Sequence, residues 1–457
     1  MLPLLIKNLR IREFLLSVIV SFSQFLYLYI SHLNIKDVVM IEFTRHKLDN
    51  GLTVLHHFDG ATRMVAVNIL YKVGSSDEQV PLTGLAHLLE HLMFTGSDHV
   101  LSFDQALQAA GGESNAWTGV DATNYYDVLP AQNLDTALWL ESDRLLSLTL
   151  SDESITTQKS VVIEEFKQRS INAPYGDMSH LVNGLAYTCH PYAWPPIGRC
   201  IEDIERATAD DVRSFHRSHY VPNNAILCIS GNVTQDRAID MVKHWFCDIP
   251  AHTIAASTHP CEPAQHEPRW LEVERNVPQT VICRAYHMPG RRTGDYPACD
   301  VLSDVLSNGK SARFYQNVVL TTGLFTELDA SVSGTLDNGL FFVKAKLSPE
   351  ATIDDAQEAI DMELQRLLTN DLKDYEVEKF VNKHIATERF ESVGYLQQAM
   401  RLCLYEQLGD AGLVNTEEHA YRNLTTNDIL AAAHRILQPS NCSTIIYRAV
   451  ENNTVPQ

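Results

Sequence analysis

The feature that constrains this chain most is the segment Gly84–Met93, which reads GLAHLLEHLM. Its apolar residues predict a buried helix, and that helix carries His87, Glu90 and His91. Residues three and four positions apart lie on one helical face, so the two imidazoles and the carboxylate share a face. Ionisable groups in an apolar interior are unfavourable unless they have a partner. The pattern therefore predicts a polar site built into the core.

The spacing of these three side chains is the one that a helix offers to a metal ion. Neutral histidine nitrogens bind zinc at about 2.0–2.1 Å, and a catalytic zinc takes three protein ligands. A carboxylate beside the ion can take a proton from water, while the metal polarises a carbonyl. A pair of core histidines held by hydrogen bonds is the alternative, which H-x-x-E-H within an apolar helix disfavours. We expect one zinc ion per chain.

A third ligand must come from another part of the chain. The predicted helix Ile155–Arg169 contains Glu164 and Glu165 at the end of the apolar run VVIEEF. Spacing alone does not choose between the two carboxylates, and a solvated charged face is the alternative for either. The histidines at 56, 57, 216 and 219 lack a matching carboxylate or spacing, so we expect them at the surface.

The order of predicted elements repeats along the chain after Met40. The strand Thr280–Tyr286 resembles Val65–Tyr71, and a Pro/Gly break then precedes the apolar helix Ala298–Leu306. Residues 251–268 are rich in Ala, Pro, Thr and His without periodicity, which is typical of a linker. We therefore predict two homologous α/β halves, a zinc-binding domain at 40–250 and a second domain at 269–457.

The second half differs from the first at the metal motif. It has Asp300, Ser303 and Asp304 where the first half has its two histidines and glutamate. We therefore expect the second domain to bind no metal and to serve as a scaffold or a substrate wall.

The first 39 residues form a hydrophobic leader. Residues 14–35 contain no Asp, Glu, Lys or Arg and follow three basic residues, which suits a short membrane anchor or a signal segment. Alternatively the native chain begins at Met40, where a globular pattern starts. Nine cysteines without a C-x-x-C pair favour this second start, because an oxidising compartment suits unpaired thiols poorly. We expect a cytoplasmic protein if Met40 is the start and a membrane-anchored one otherwise.

The net charge of −21 at pH 7 bears on possible partners. Nucleic-acid binding needs a basic face for the phosphates, so we exclude nucleic acid.

Several stretches beyond the helix resemble one family. The segments are GLAHLLEHLMFTGS, GGESNAWTGVDATNYYDV, VVIEEF, HPYAWPPIG and YVPNNAILCISGNV. In order and spacing they are similar to the pitrilysin or inverzincin zinc peptidases, which include insulin-degrading enzyme and mitochondrial processing peptidase. The resemblance covers residues 42 to about 440. It implies an α+β fold, in which each half is a mostly antiparallel sheet packed with helices.

The resemblance also implies roles for single residues. His87 and His91 match the zinc-binding histidines, and Glu90 matches the general base. The family's third ligand lies seven residues after another Glu, a position that Gln158 occupies here, so the implied ligand is Glu165. The change at Gln158 removes a carboxylate that tunes the ligands, which should temper activity and leave metal binding in place.

A substrate strand is implied by the same comparison. Ser114, Asn115 and Ala116 match an edge strand of the family, where a peptide adds as an extra β-strand through main-chain hydrogen bonds. Trp117 points to the other face of the strand, and we expect it in the core.

The second half departs from the family at a substrate-binding pair. Members that act alone carry an Arg and a Tyr seven residues apart, which bind the substrate carbonyl, whereas this chain has Val318 and Phe325 there. Neither can donate a hydrogen bond to an oxyanion. Arg313 and Tyr315 are two positions apart and are poor substitutes. The chain resembles the metal-bearing subunit of heteromeric members, whose sister subunit supplies the pair.

We therefore predict a zinc metalloendopeptidase that hydrolyses peptides or small proteins bound as an extended strand, with a sister subunit as partner. The alternative is a non-catalytic structural or assembly subunit, like the respiratory-complex core proteins that share the fold. Those proteins typically have a degraded metal motif. The complete motif favours an enzyme, and Val318 and Phe325 keep the alternative open.

Overall fold

Two β-sheets with helices packed on them organise the chain in the computed structural model, which describes residues 40–254 and 259–450. The apolar segment 14–35 lies outside these residues. In the described ranges, no helix combines the length and the apolar character that crossing a bilayer requires.

The first sheet has six strands. They are β1 (Thr44–Lys47), β2 (Thr53–Phe58), β3 (Met64–Tyr71), β4 (Glu113–Thr118), β5 (Thr123–Pro130) and β6 (Ala225–Gly231). Their order in the sheet is β1-β2-β6-β3-β5-β4. Strands β2 and β6 run parallel, and the other neighbours run antiparallel. Gly51 closes the β1–β2 hairpin at φ +87°, a left-handed conformation that glycine adopts without strain.

The second sheet repeats this topology with five strands. They are β7 (Arg269–Arg275), β8 (Val281–Met288), β9 (Phe325–Val332), β10 (Gly339–Leu347) and β11 (Cys442–Ala449). The order β7-β11-β8-β10-β9 corresponds strand for strand to β2-β6-β3-β5-β4, and β7 and β11 are again the parallel pair. This correspondence is what an internal duplication produces. The predicted α+β class with two mostly antiparallel halves is confirmed.

Among the described residues, the first half of the chain contains eight α-helices and the second half contains seven. The first set is α1 (Leu85–Leu92), α2 (Phe103–Ala109), α3 (Leu134–Ser147), α4 (Asp152–Phe166), α5 (Met178–Ala186), α6 (Ile201–Arg206), α7 (Ala209–His219) and α8 (Gln235–Phe246). The second set is α9 (Tyr296–Ser307), α10 (Leu320–Thr322), α11 (Ile353–Arg366), α12 (Asp374–Glu391), α13 (Tyr395–Leu408), α14 (Glu417–Arg422) and α15 (Thr426–Ile436). Turns of π-helix extend α4 over Lys167–Asn172 and α11 over Leu367–Asp371, and another precedes α10 at Phe314–Val319.

The two halves exchange one helix each. Helix α13, from the second half, packs on β3 and β6 of the first sheet. There the thiol of Cys403 lies 3.8 Å from the carbonyl oxygen of Asn68 and 3.7 Å from that of Ile226. In return, α5 from the first half shares a buried apolar cluster with residues of the second sheet. Each sheet therefore has one face covered by a helix from the other half.

Polar contacts also connect the two halves. Arg45 on β1 donates from Nε and Nη2 to Oε1 of the buried Glu406 on α13, at 2.9 and 2.7 Å. Asp121, in the β4–β5 turn, accepts from the Tyr192 hydroxyl at 2.5 Å and from the Leu336 backbone N–H at 2.9 Å. Packing and hydrogen bonds therefore cross between the two halves. The domain limits 40–250 and 269–457 stay a prediction.

Candidate metal centre

Helix α1 is fixed at its N-terminus by a buried carboxylate. Gly84 precedes the helix at φ +91°, and Glu78 accepts hydrogen bonds from the backbone N–H groups of Gly84 and Ala86, both at 2.8 Å. Trp194 donates its indole N–H to the same carboxylate at 3.2 Å. Burial raises the pKa of Glu78, and the three N–H donors oppose that shift because they stabilise the ionised form. A carboxylate at this position satisfies helix N–H groups that have no partner inside the helix.

The apolar residues of α1 determine which face its polar residues occupy. Leu85, Leu88, Leu89 and Leu92 are all buried in the core of the first half. The face with the two histidines and Glu90 is turned to α4, against which α1 packs. The predicted helix 84–93 is confirmed to within one residue at each end.

The structure brings His87, His91 and Glu165 together. Oε2 of Glu165 lies 3.7 Å from Nε2 of His87 and 3.3 Å from Nε2 of His91. One ligand atom from each of the three side chains lies within 4.8 Å of the others. The side chain of Glu164 points elsewhere, because it is 63% exposed and pairs with Lys167 at 2.6 Å. Of the two carboxylates that spacing left open, Glu165 is thus the one beside the imidazoles.

Burial favours the uncharged form of one imidazole in the cluster, that of His87. Burial lowers the pKa of His87 to about 4, so this ring is neutral at pH 7. Its Nδ1 is buried and has no hydrogen-bond partner in the described part of the chain, so no protein group fixes the tautomer. Arg169 holds the other oxygen of Glu165, with Nη1 2.9 Å from Oε1. Two imidazoles and one carboxylate are a donor set that catalytic zinc takes, so these residues fit the ion.

Glu90 lies on the same face as the histidines but outside the three-residue cluster. The hydroxyl of Thr118, the last residue of β4, donates to Oε2 of Glu90 at 2.5 Å. Burial raises the pKa of Glu90, and the Thr118 hydrogen bond opposes that shift. Sequence reasoning missed both Thr118 and Glu78. For Thr118, the only signal in the sequence was its position at the end of the SNAWT segment. For Glu78, it was a position shortly before the helix.

The predicted substrate strand is an edge strand of the first sheet. Ser114, Asn115 and Ala116 lie on β4, which ends the strand order and pairs with β5. The Asn115 side chain accepts a hydrogen bond from the Ala116 backbone N–H at 2.8 Å. Trp117 is half-buried, so the prediction of a core position was wrong. Gln158, two turns before Glu165 on α4, is also half-buried.

The positions of the family's Arg/Tyr pair lie inside the second core. Val318 is 2% exposed and Phe325 is 4% exposed, and both belong to the main apolar cluster of the second half. Arg313 is also buried, and its Nε donates to Oε1 of Glu363 at 2.7 Å. None of these three side chains is available at a surface to receive a substrate carbonyl.

A second cluster of possible ligands has a different chemistry. His190, His259 and Asp337 also bring ligand atoms within 4.8 Å of one another. However, Nδ1 of His190 accepts a hydrogen bond from the Tyr192 backbone N–H at 3.2 Å, so its proton is on Nε2, which faces Asp337 at 3.5 Å. Hydrogen bonding to Asp77 raises the pKa of His259. The protonated Nε2 of His190 is therefore directed at Asp337 and offers no lone pair to a metal ion.

In the second half, the residues that replace the metal motif serve local structure. Asp300 accepts from the Tyr421 hydroxyl at 2.7 Å, Asp304 accepts from the Asn308 amide at 2.7 Å, and Ser303 donates to the Asp300 carbonyl at 2.8 Å.

Two of the histidines expected at the surface are not there. His56 is 3% exposed and is hydrogen-bonded through Nε2 to the Val233 carbonyl at 2.9 Å. Nε2 of His216 is buried as well. The surface prediction was wrong at both, because histidine-pair spacing says nothing about which strand or helix face is covered.

Comparison with known proteins agrees with this fold. A family model described as "Insulinase (Peptidase family M16)" matches residues 53–186, and one described as "Peptidase M16 inactive domain" matches residues 206–383. The zinc protease PqqE of Helicobacter pylori is 31% identical over 338 residues, which cover 73% of this chain and 76% of that protein.

Solved structures give the same result. The crystal structure of a protease from Helicobacter pylori has a TM-score of 0.85 and 27% identity, covering 90% of this chain and 100% of that chain. Pitrilysin has a TM-score of 0.74 and 16% identity, covering 89% of this chain and 44% of that chain, so it supports the fold alone. The fold and the sequence together define the two-half architecture of the M16 peptidases. The chain belongs to peptidase family M16, and the resemblance found in the sequence is confirmed.

The two neighbouring glutamates of α4 provide a matched test of the cluster. We expect Glu165→Gln to weaken zinc binding by about 100-fold or more, because it removes the one carboxylate within reach of both imidazoles. Glu164→Gln should leave the affinity unchanged, since that side chain is solvated. Competition with a fluorescent zinc chelator measures both. Equal affinities for the two variants would contradict the assignment.

Proposed function

We propose that the chain is a zinc-dependent metalloendopeptidase. The observation that carries this proposal is the convergence of His87, His91 and Glu165, with Glu90 on the same face of α1. Membership of a peptidase family supports it, as does the name zinc protease of the Helicobacter pylori relative. When bound, zinc polarises a scissile carbonyl and lowers the pKa of water towards about 7.

Glu90 is proposed as the general acid–base. Its Oε2 is held by the Thr118 hydroxyl, which leaves Oε1 as the atom that takes a proton from water and later delivers it to the leaving amine. Burial raises the pKa of this carboxyl, which suits a group that must hold a proton between the two steps. Thr118 is a positioning residue, because it acts through Glu90.

The substrate is proposed to lie along the open edge of β4. An extended peptide beside Ser114–Ala116 would add a seventh strand to the first sheet through main-chain hydrogen bonds. Because Thr118 ends the same strand and contacts Glu90, the peptide would be directed towards the catalytic carboxylate. The substrates are therefore peptides, or proteins with an extended segment.

The chain is further proposed to be the metal-bearing subunit of a heteromeric enzyme. This rests on Val318 and Phe325, which are apolar and buried at the positions where the resemblance expects Arg and Tyr. A sister subunit would supply the donors that stabilise a developing oxyanion. The same two residues also favour the second candidate function, a non-catalytic subunit that shares the fold.

Replacing the proposed base separates catalysis from metal binding. We expect Glu90→Gln to retain zinc and to lower kcat by about 10²–10⁴-fold, because the amide cannot accept the proton. Zinc content by mass spectrometry and hydrolysis of a quenched fluorescent peptide measure the two effects. Loss of zinc in this variant would contradict the assigned role, and unchanged turnover would contradict the proposed mechanism.

The hydrogen bond from Thr118 gives a second test. Thr118→Val keeps the shape of the side chain and removes the donor, so we expect kcat to fall about tenfold with KM and zinc content unchanged. Thr118→Ser restores the hydroxyl and should restore most of kcat. Equal kcat values for the valine and serine variants would show that the hydroxyl does not position Glu90.

The heteromeric proposal predicts weak peptidase activity for the isolated, zinc-loaded chain. Activity should rise when a sister subunit that carries the Arg/Tyr pair is added, since the oxyanion then gains its donors. Capture of the native protein from its source, followed by mass spectrometry, identifies that subunit. Strong activity of the isolated chain would contradict the need for a partner, and a metal-free, inactive complex would support the non-catalytic function.

A further inference from the structure

A cavity of about 420 Å³ lies away from the metal centre in the first half. It is bounded by the end of α3, the C-terminal part of α7 and the segments 148–150 and 249–252. The described residues that line it include none of the four residues of the proposed catalytic site. Its volume is within the range of small-molecule sites, which is about 300–1,000 Å³.

The lining of this cavity has basic side chains and no acidic ones, in a chain that is strongly acidic overall. Among the described residues that line it, two are Arg, two are His and none is Asp or Glu, while the whole chain has a net charge of −21. Leucines of the α3 end and the next segment, with Val221 and Ile249, supply apolar walls. The cavity therefore combines an apolar body with positive charge.

The two arginines differ in how their charge is used. Arg213 donates to the Leu150 carbonyl from Nε and Nη2, at 3.0 and 2.9 Å, and it pairs with Asp152 and Asp210. Its side chain is thus fixed and its charge is partly neutralised. Arg217 is exposed and forms no ion pair within 4.0 Å in the part of the chain that is described. Arg217 is the residue with charge to offer a ligand.

His216 lies in the same wall beside Arg217 and carries no charge to a ligand. Its ring stacks on Tyr220, with centroids 5.5 Å apart and an angle of 18° between the planes. Its Nε2 is buried and has no hydrogen-bond partner among the described residues, an arrangement that is unfavourable for a polar atom. Burial, together with the nearby Arg217 charge, lowers the pKa of His216 to about 4, so the ring is uncharged at pH 7.

We propose that this cavity binds a small organic anion, namely a carboxylate carried on an apolar body. The guanidinium of Arg217 would hold the carboxylate, and the leucines with Val221 and Ile249 would surround the apolar part. The site does not depend on the proposed peptidase activity, since the two sites share no residue.

Calorimetric titration of the full chain tests this proposal with three probes. Chelator treatment comes first, because a carboxylate would also bind a metal ion at the other site. We expect hexanoate to bind at a single site, and to bind about tenfold more tightly than 1-hexanol, which lacks the charge, or inorganic phosphate, which lacks the apolar body. Equal affinity for hexanoate and 1-hexanol, or no binding of hexanoate, would overturn the proposal.

A pair of arginine variants locates the binding. Arg217→Gln should weaken hexanoate binding about tenfold. The matched control is Arg237→Gln on α8, since Arg237 is also exposed and lies outside the lining. This control variant should bind hexanoate with the affinity of the native chain. Both side chains are at the surface, so both variants should fold as the native chain does. Native affinity in Arg217→Gln would show that hexanoate binds elsewhere.

Discussion

The packing of α1 against α4 is the contact on which the site depends. Two imidazoles on one helix are only a pair of core histidines until a carboxylate from another helix faces them. Glu165 does so from a helix that begins more than sixty residues later in the chain. Glu78 and Gly84 fix where α1 starts, and the buried leucines fix how it is rotated. The geometry of the cluster is therefore set by the core of the first half.

Local pattern was sufficient to predict the elements and the polar face of α1. The 3.6-residue periodicity of Gly84–Met93 and the repeated order of strands and helices predicted the two halves, because each pattern reports which face of an element is buried. The same residue pattern did not show whether Glu164 or Glu165 is the third candidate ligand. Choosing between these neighbours required a family resemblance or the structure itself, since the rotation of α4 is set by tertiary packing.

The contacts that sequence missed join segments that are distant in the chain. An apolar face on α13 indicates that something covers it, but not that β3 and β6 of the other half do so. The hydrogen bond from Thr118 to Glu90 and the hydrogen bonds that Glu78 accepts at the start of α1 also depend on how the chain folds between these elements. The prediction that His56 and His216 lie at the surface was wrong, because the spacing of two histidines does not indicate which residues pack around them.

The hydrogen bond between Asn115 and the Ala116 backbone has a consequence for solubility. A sheet edge that is open to an incoming peptide is also open to the same edge of another copy, which is a route to aggregation. The Asn115 side chain occupies the Ala116 N–H, so any added strand must first displace it. The Asn115 amide thus covers one main-chain donor of the sheet edge, which makes strand addition by another copy less favourable there.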